Sequence, residues 1–460
     1  LTEVNEVHEE HEVNDQSTGL QKLRVSADRR HIVHEDGTPF FWLGDTAWEL
    51  FLRLNREEAD RYMRNRAERG FTVIQAIALG ETDMTRAANA YGRSPLLRNG
   101  NGDCDPTLPD LAPEGEYGYW DHVDYIIDRA AHYGLYIGML PTWGDRIHVA
   151  WGGGPEIFNS DNAAVYGSWL GSRYRSRNNL IWILGGDRPL TNRRHLGVIH
   201  AMAEALREAD GGAHLMTLHP YGGQTSSVSV HEEAWLDFNM IQSGHERNVA
   251  NEAMVAKDYA LVPPKPVLDG EPCYEDHPVG FNTENGFFDA KDVRQAAYMA
   301  LFAGAFGHTY GHHCVWPMIT EPNDYFIMTW QDAIMRPGGA QMKYVHQLMA
   351  SRPMQGRVPD QSLLVRNYKG SGRLQACRGK DYAFIYSPNG LPISIRLGIL
   401  SGSALNVQWY DPRTGQSHAA GTADNQGERR FKPPSCGRQD DWVLVLDDAS
   451  AGYADARLTR

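Results

Sequence analysis

The sequence predicts an α/β protein: a (β/α)8 barrel of the TIM type, followed by a small antiparallel β-sandwich. Three observations carry this. Up to about residue 350, eight short apolar runs alternate with segments of helical period, the order that builds a parallel sheet covered by helices. No G-x-G-x-x-G turn follows an early strand, as the competing doubly wound sheet would require. Beyond about residue 355 the helical period stops, and short strands separated by Gly, Pro and Asn turns take over. The chain therefore divides into a flexible N-terminal arm (1–20), a barrel (21–355) and a sandwich (356–460), with the boundary in "SRPMQGRVPD" (351–360).

The barrel elements follow in order. "FFWLG" (40–44) is the first strand. "NREEADRYMRNRAERG" (55–70) is an amphipathic helix, with Asn55 as N-cap, Glu57 and Glu58 in the first turn and Gly70 as stop. Strand "FTVIQAIAL" (71–79), helix "YWDHVDYIIDRAAHYG" (119–134) and strand "LYIGMLP" (135–141) come next. Helix "AAVYGSWLGSRYRSRN" (163–178) leads to strand "IWIL" (181–184), and helix "RRHLGVIHAMAEALREADG" (193–211) leads to strand "HLMTLHP" (214–220). "FNMIQSG" (238–244), "PVLDGE" (266–271) and "FGHTYGHH" (306–313) complete the eight strands, with helix "KDVRQAAYMALFAG" (291–304) between the last two. In the sandwich, the strands are expected in "SLLVRNY", "RLQACRG", "YAFIYSP", "ISIRLG", "LNVQWYDPRTG" and "DWVLVLDD".

Composition bounds the function. A 42% hydrophobic chain of 460 residues has ample material for a core. A net charge of −14 excludes nucleic acid as the expected partner, because that role needs a basic surface to neutralise phosphates. No run of 18 apolar residues predicts a membrane span. Twelve Trp and 21 Tyr supply flat faces that suit sugar rings, although core burial accounts for most of them. The five cysteines show no CxxC spacing, so neither a disulfide scaffold nor a zinc site is expected; one pair, Cys377 with Cys436, stays open. The acidic N-terminus lacks a signal-peptide core and leaves secreted, periplasmic and cytoplasmic locations all open.

In a barrel of this kind the active site lies at the C-terminal ends of the strands. Those ends carry Asp45 and Trp48 (first strand), Glu81 and Asp83 (second), and Trp143 and Asp145 (third). The fourth carries Asp187, the fifth His219 and Tyr221, and the sixth His245. The seventh carries Asp269, Glu271 and Glu275, and the eighth His308, His312, His313 and Trp316. Any one acidic residue after a strand is ordinarily a helix cap. Together the groups crowd one end.

Asp187 and Glu271 stand across the ring from each other. That is the arrangement glycosidic cleavage needs: one carboxylic acid protonates the leaving oxygen while the other carboxylate attacks carbon or activates water. Gly185 and Gly186 are expected to let the backbone pass close to a ligand. A metal site is the rival for the histidines, but the first strand ends "WLGDTAW" without the His-x-His such a site would begin with, so neither metal nor cofactor is expected. No GxSxG motif follows a strand.

"GTPFFWLGDTAWELFLRLNREEADRYMRNRAERGFTVIQ", "YWDHVDYIIDRAAHYGLYIGMLPTWG", "NNLIWILGGDRP" and "PVLDGEPCYE" resemble glycoside hydrolase family 140, whose characterised activity is apiosidase. The resemblance runs from about residue 25 to 350, and the remainder resembles a small module named for collagen binding. The resemblance implies a retaining carboxylate pair, with Asp187 as acid/base and Glu271 as nucleophile. Glu275, four residues on, is the other nucleophile candidate. Asp45, Trp48, Trp143, Asp145, His219, Tyr221, His245, His312 and Trp316 are the expected sugar-pocket residues. The expected activity is exo-acting release of terminal apiose from plant glycans or glycosides. The alternatives are an endo-glycanase on another plant polysaccharide and a non-catalytic carbohydrate-binding protein.

Overall fold

Eight parallel strands form the barrel: β1 (Trp42–Thr46), β2 (Val73–Ile77), β3 (Tyr136–Leu140), β4 (Leu180–Gly185), β5 (Met216–His219), β6 (Asn239–Gln242), β7 (Val267–Asp269) and β8 (Gly307–Tyr310). Every residue in them is buried, as expected of parallel strands covered on both faces. The computed structural model describes residues 19–80, 88–151 and 153–454. Glu81, Asp83 and residues 1–18 of the expected N-terminal arm lie outside these.

The hydrogen-bonded ladder runs from β5 through β4, β3, β2, β1, β8 and β7 to β6, and a short antiparallel strand, Gln224–Thr225, extends it beyond β6. The result is a mixed nine-stranded sheet that nearly closes. Between β5 and β6, Asp237 N donates to Met216 O at 2.9 Å and Thr217 Oγ1 to Phe238 O at 2.7 Å in place of a full ladder. The segment joining these two strands contains that short strand and a four-residue helix, Ser227–Val230, in place of a long covering helix.

The long helices begin where the sequence provides caps. Helix α1 (Arg56–Glu68) opens on a capping box: Glu58 N donates to Asn55 Oδ1 and Asn55 N to Glu58 Oε2, both at 3.0 Å. Helices α2 (Tyr119–His132), α3 (Ser160–Tyr174) and α4 (Arg193–Ala209) cover β2 to β5. Helices α3 and α4 pack closely because Gly167 and Gly171 of α3 face α4; a Cβ at either would meet the Met202 or Leu206 carbonyl oxygen at 2.8 Å. Helices α5 (Asn251–Tyr259), α6 (Ala290–Phe302, capped by Asp289) and α7 (Pro337–Ala350) cover the other half.

The C-terminal region holds a six-stranded antiparallel sheet and a two-stranded one, Ile393–Arg396 with Glu428–Phe431. Ile393, Ile395 and Phe431 share a core with Leu405, Val407 and Leu444 of the larger sheet. "SLLVRNY" is not the expected strand; a short 3-10 turn, Gln361–Leu363, occupies its start. Ser417–Asp424 is an additional strand, so exposed that no hydrophobic alternation marks it.

The two parts share one apolar core. Tyr298 of α6 stacks on Tyr386 at 5.0 Å, and Phe302 stacks on Phe384 at 5.9 Å. Buried Arg294 of α6 grips Asp441 with contacts of 3.1 and 2.7 Å, and Arg352 grips Asp447 with contacts of 2.8 and 2.7 Å. The sandwich thus braces the helix that follows the β7 loop. All five cysteines are free; Cys377 is buried in this shared core and Cys436 is exposed, so the open pairing is not made.

Candidate active site

The turn after β4 takes three successive left-handed residues, Gly185 (φ +83°), Gly186 (φ +116°) and Asp187 (φ +48°). Its glycines serve a different purpose from the expected ligand approach. A Cβ on Gly186 would meet the Trp143 ring at 2.8 Å, and one on Gly185 would meet the His219 carbonyl oxygen at 2.6 Å. The turn is therefore pressed against the ends of β3 and β5, and Asp187, which follows the two glycines, lines the pocket described below. Arg188 Nη1 donates to Asp187 Oδ2 at 3.2 Å and to the Asp187 carbonyl at 2.8 Å.

Glu271, past the end of β7, is fixed through its backbone: Gly244 N donates to its carbonyl at 3.0 Å, and its own amide donates to Ile241 O at 3.3 Å. Its carboxylate is held by two imidazoles. His245 Nε2 lies 3.2 Å from Oε1. His219 Nε2 lies 2.9 Å from Oε2, at an oblique angle, while His219 Nδ1 donates to the Pro220 carbonyl at 2.8 Å.

These surroundings push the two carboxyls apart. Burial raises Asp187, the negative charge of Glu271 raises it further, and its pKa moves from 3.8 to about 6 against the opposing pull of His219 and Arg188. Burial would raise Glu271 as well, but the two histidines, His219 by its close approach and His245 by its hydrogen bond, reverse this and hold it well below the usual carboxylate range. Two carboxyls whose environments separate their pKa values are the signature of an acid paired with an ionised partner.

Both groups line one pocket of about 340 Å³, at the small end of the ~300–1,000 Å³ typical of ligand sites. Trp48, Trp143, Tyr221, His245 and Trp316 line it as the sequence predicts, and His219 sits behind Glu271. Three expected pocket residues lie elsewhere. Asp45 is fully buried against α1, where Arg66 Nε approaches it at 2.6 Å and Tyr62 Oη donates to it at 2.5 Å. Asp145 is buried beside Arg146 and accepts from Gly154 N at 3.1 Å. His312 Nε2 pairs with Asp276 Oδ2 at 3.1 Å while its Nδ1 accepts from Cys314 N.

Glu275 is also committed elsewhere. Its carboxylate receives Tyr310 Oη at 2.6 Å and the Gly338 and Gly339 amides at 3.0 and 3.2 Å, so it caps the start of α7.

Residues the sequence did not single out complete the wall: Trp151, Gln242, Tyr274, His277, Phe281 and Tyr325. His313, noted only as a neighbour of His312, also lines it. Gln242 ends β6 and was within reach of the same strand-end reasoning. The others sit on loops whose course periodicity does not encode. The imidazoles of His245 and His277 stack at 4.1 Å, and His277 meets His313 edge-on at 4.4 Å.

Several buried polar atoms in this wall make no well-aligned hydrogen bond within the protein: Trp143 Nε1, Gln242 Oε1, His245 Nδ1, Tyr274 Oη and both ring nitrogens of His313. Buried polar groups are nearly always paired, by protein or by ordered water, and these belong to residues that line the pocket. A shallower depression of about 670 Å³ at Lys22, Arg175 and Asp210 lies away from both carboxyls.

A barrel with two carboxyls lining one polar, aromatic pocket suits carbohydrate chemistry, and the chain is a glycoside hydrolase. It belongs to the apiosidase-like family: residues 26–356 match "Apiosidase-like, catalytic domain". Residues 358–447 match "Putative collagen-binding domain of a collagenase". A solved structure described as "Glycoside hydrolase" is 38% identical with a TM-score of 0.87, covering 94% of this chain and 98% of that one. A second, described as a glycoside hydrolase family 5 from Bacteroides vulgatus ATCC 8482, is 36% identical with a TM-score of 0.87, covering 96% of each chain. A third from the same organism, described as a glycoside hydrolase without firm assignment, shares 13% identity at a TM-score of 0.69, covers 94% of this chain and 83% of that one, and so shares the fold alone. No curated protein matches the chain.

Proposed function

We propose that the enzyme releases terminal apiose, a branched pentose, from plant glycans or glycosides by exo-acting, retaining hydrolysis. The separation of charge states carries the reading: Asp187 is raised to about 6 and Glu271 is held ionised by two histidines in the same pocket. Glu271 attacks the anomeric carbon as Asp187 gives its proton to the departing oxygen, which leaves a glycosyl ester. Asp187, now a carboxylate, takes a proton from the water that attacks this ester. The sugar leaves and Glu271 is regenerated.

His219 and His245 act by keeping Glu271 ionised, and Arg188 by holding Asp187 at the turn. Trp143 Nε1, Gln242 Oε1 and the free nitrogens of His245 and His313 offer partners to sugar hydroxyls. The small volume and the aromatic walls at Trp316, Phe281 and Tyr325 favour one terminal sugar over a chain threading through. We divide the molecule into a catalytic barrel to about residue 355 and a sandwich beyond it that steadies α6. Carbohydrate is the only partner this reading needs. No described helix is long and apolar enough to cross a membrane.

Incubation with an apiosylated aryl glycoside and apiose-bearing pectic side-chain fragments, with chromatography of the products, tests this. Free apiose is the expected result. Oligosaccharide products would replace the reading with an endo-glycanase, and no release from any fragment would overturn apiose as the sugar released.

A further inference from the structure

Two large aromatic residues at the pocket mouth are more than half exposed, Trp151 at 59% and Phe281 at 62%. Scattered exposed aromatics are ordinary; these two flank the carboxyl pair from different sides. Phe281 meets the rings beside Glu271 edge-on, His277 at 4.8 Å and His245 at 5.5 Å. Trp151 lies over the Arg188 guanidinium, 5.0 Å from ring centre to the guanidinium carbon, and that guanidinium holds Asp187 Oδ2. Tyr221 sits beside it, with the ring centres 6.3 Å apart.

The loop carrying Trp151 is tied down on both sides. Asp145 accepts from Gly154 N at 3.1 Å, Arg146 Nη1 donates to the Gly154 carbonyl, and Glu156 Oε1 accepts from Val149 N at 3.0 Å. His148 Nδ1 donates to the Pro189 carbonyl at 2.8 Å, joining this loop to the turn that bears Asp187. Asp145 and Arg146 thereby gain a use that their absence from the pocket wall left open.

A general acid must reach the oxygen it protonates, so the departing group lies on the Asp187 side of the pocket. The exposed aromatic on that side is Trp151. We propose that Trp151, with Tyr221 beside it, is the platform of the leaving-group subsite, and that the group next to the scissile bond presents a flat ring with an apolar face. A pyranose and an aryl ring share that chemistry. This rests on Asp187 being the acid and on apiose being the sugar released.

The test compares kcat/KM of wild type and Trp151→Ala on three apiosides, with methyl, phenyl and pyranosyl leaving groups. Taking each variant's ratio to its own methyl rate cancels intrinsic leaving-group reactivity. The platform predicts that the phenyl or pyranosyl ratio, or both, falls about tenfold in W151A, the size of one ring-stacking contact, chiefly through KM. The arm that falls identifies the ring. Trp151→Phe keeps most of the preference and Trp151→Leu loses it. The fall of activity at high pH stays at the wild-type position. An equal loss on all three substrates, or a displaced high-pH fall, overturns the platform, since Trp151 would then act only through Arg188 on Asp187. Wild-type turnover of none of the three would remove the apiose reading and the platform with it.

Discussion

Replacing Asp187 by Asn stabilises the protein at neutral pH while removing the acid. The folded state holds Asp187 at about 6 against its ordinary 3.8. Between those values the folded protein therefore binds a proton that the unfolded chain has lost. Stability falls as pH rises through that window, and above about 6 the full cost of an ionised, half-buried carboxylate is present. At ~1.4 kcal/mol per tenfold shift, the cost is about 2–3 kcal/mol, the lower end allowing for screening by water at the exposed edge. Asn fits the left-handed turn as well as Asp does, so D187N adds no backbone strain. Urea melts of wild type and D187N at pH 8 and pH 4 measure the difference. The expected gain for D187N is about 2–3 kcal/mol at pH 8, shrinking towards zero at pH 4. No gain at pH 8, or a gain independent of pH, would refute the charge states on which the mechanism rests.

Other outcomes follow from the same geometry. With a poor leaving group, kcat/KM falls above about pH 6 as Asp187 loses its proton, and this fall disappears in D187N. His245→Ala removes a hydrogen bond that holds the Glu271 pKa down, so the pH below which activity is lost moves up; a pH–rate profile reads the shift. Glu275→Gln weakens the α7 cap and costs about 2 kcal/mol in a denaturation curve, yet keeps turnover, which Glu271→Gln does not. Arg294→Met leaves Asp441 buried without its charged partner, Tyr386 Oη alone remaining, and costs about 3–5 kcal/mol, with faster proteolysis between barrel and sandwich.

The barrel was legible because its strands are short apolar runs and its helices carry caps and stops. Asn55 caps α1 as expected, with Glu58 of the first turn returning the bond, and the expected strands overlap the observed ones. The Asp187 turn was legible because three unusual residues follow a buried run. Asp45 shows where the reasoning stops. Along β1, Trp42 and Gly44 face Thr309 and Thr46 faces Gln75 in the barrel interior, so the residue between them, Asp45, points outward to Arg66. An acidic residue at a strand end reaches the site only when its place in the alternation allows it, and a shift of one residue sends it to the helix layer. Glu275 was unreadable for another reason: its partners, the amides of Gly338 and Gly339, lie more than 60 residues away on a helix the sequence did not announce. Trp151 and Phe281 depend on loop paths that no local period fixes.

The most direct test of the carboxylate assignment is mass spectrometry of the enzyme after reaction with an activated 2-deoxy-2-fluoro glycoside, which slows release of the glycosyl ester. The account predicts one added sugar, on the peptide containing Glu271 and on that side chain. Attachment to Glu275, or inversion at the anomeric carbon with no adduct, would contradict it.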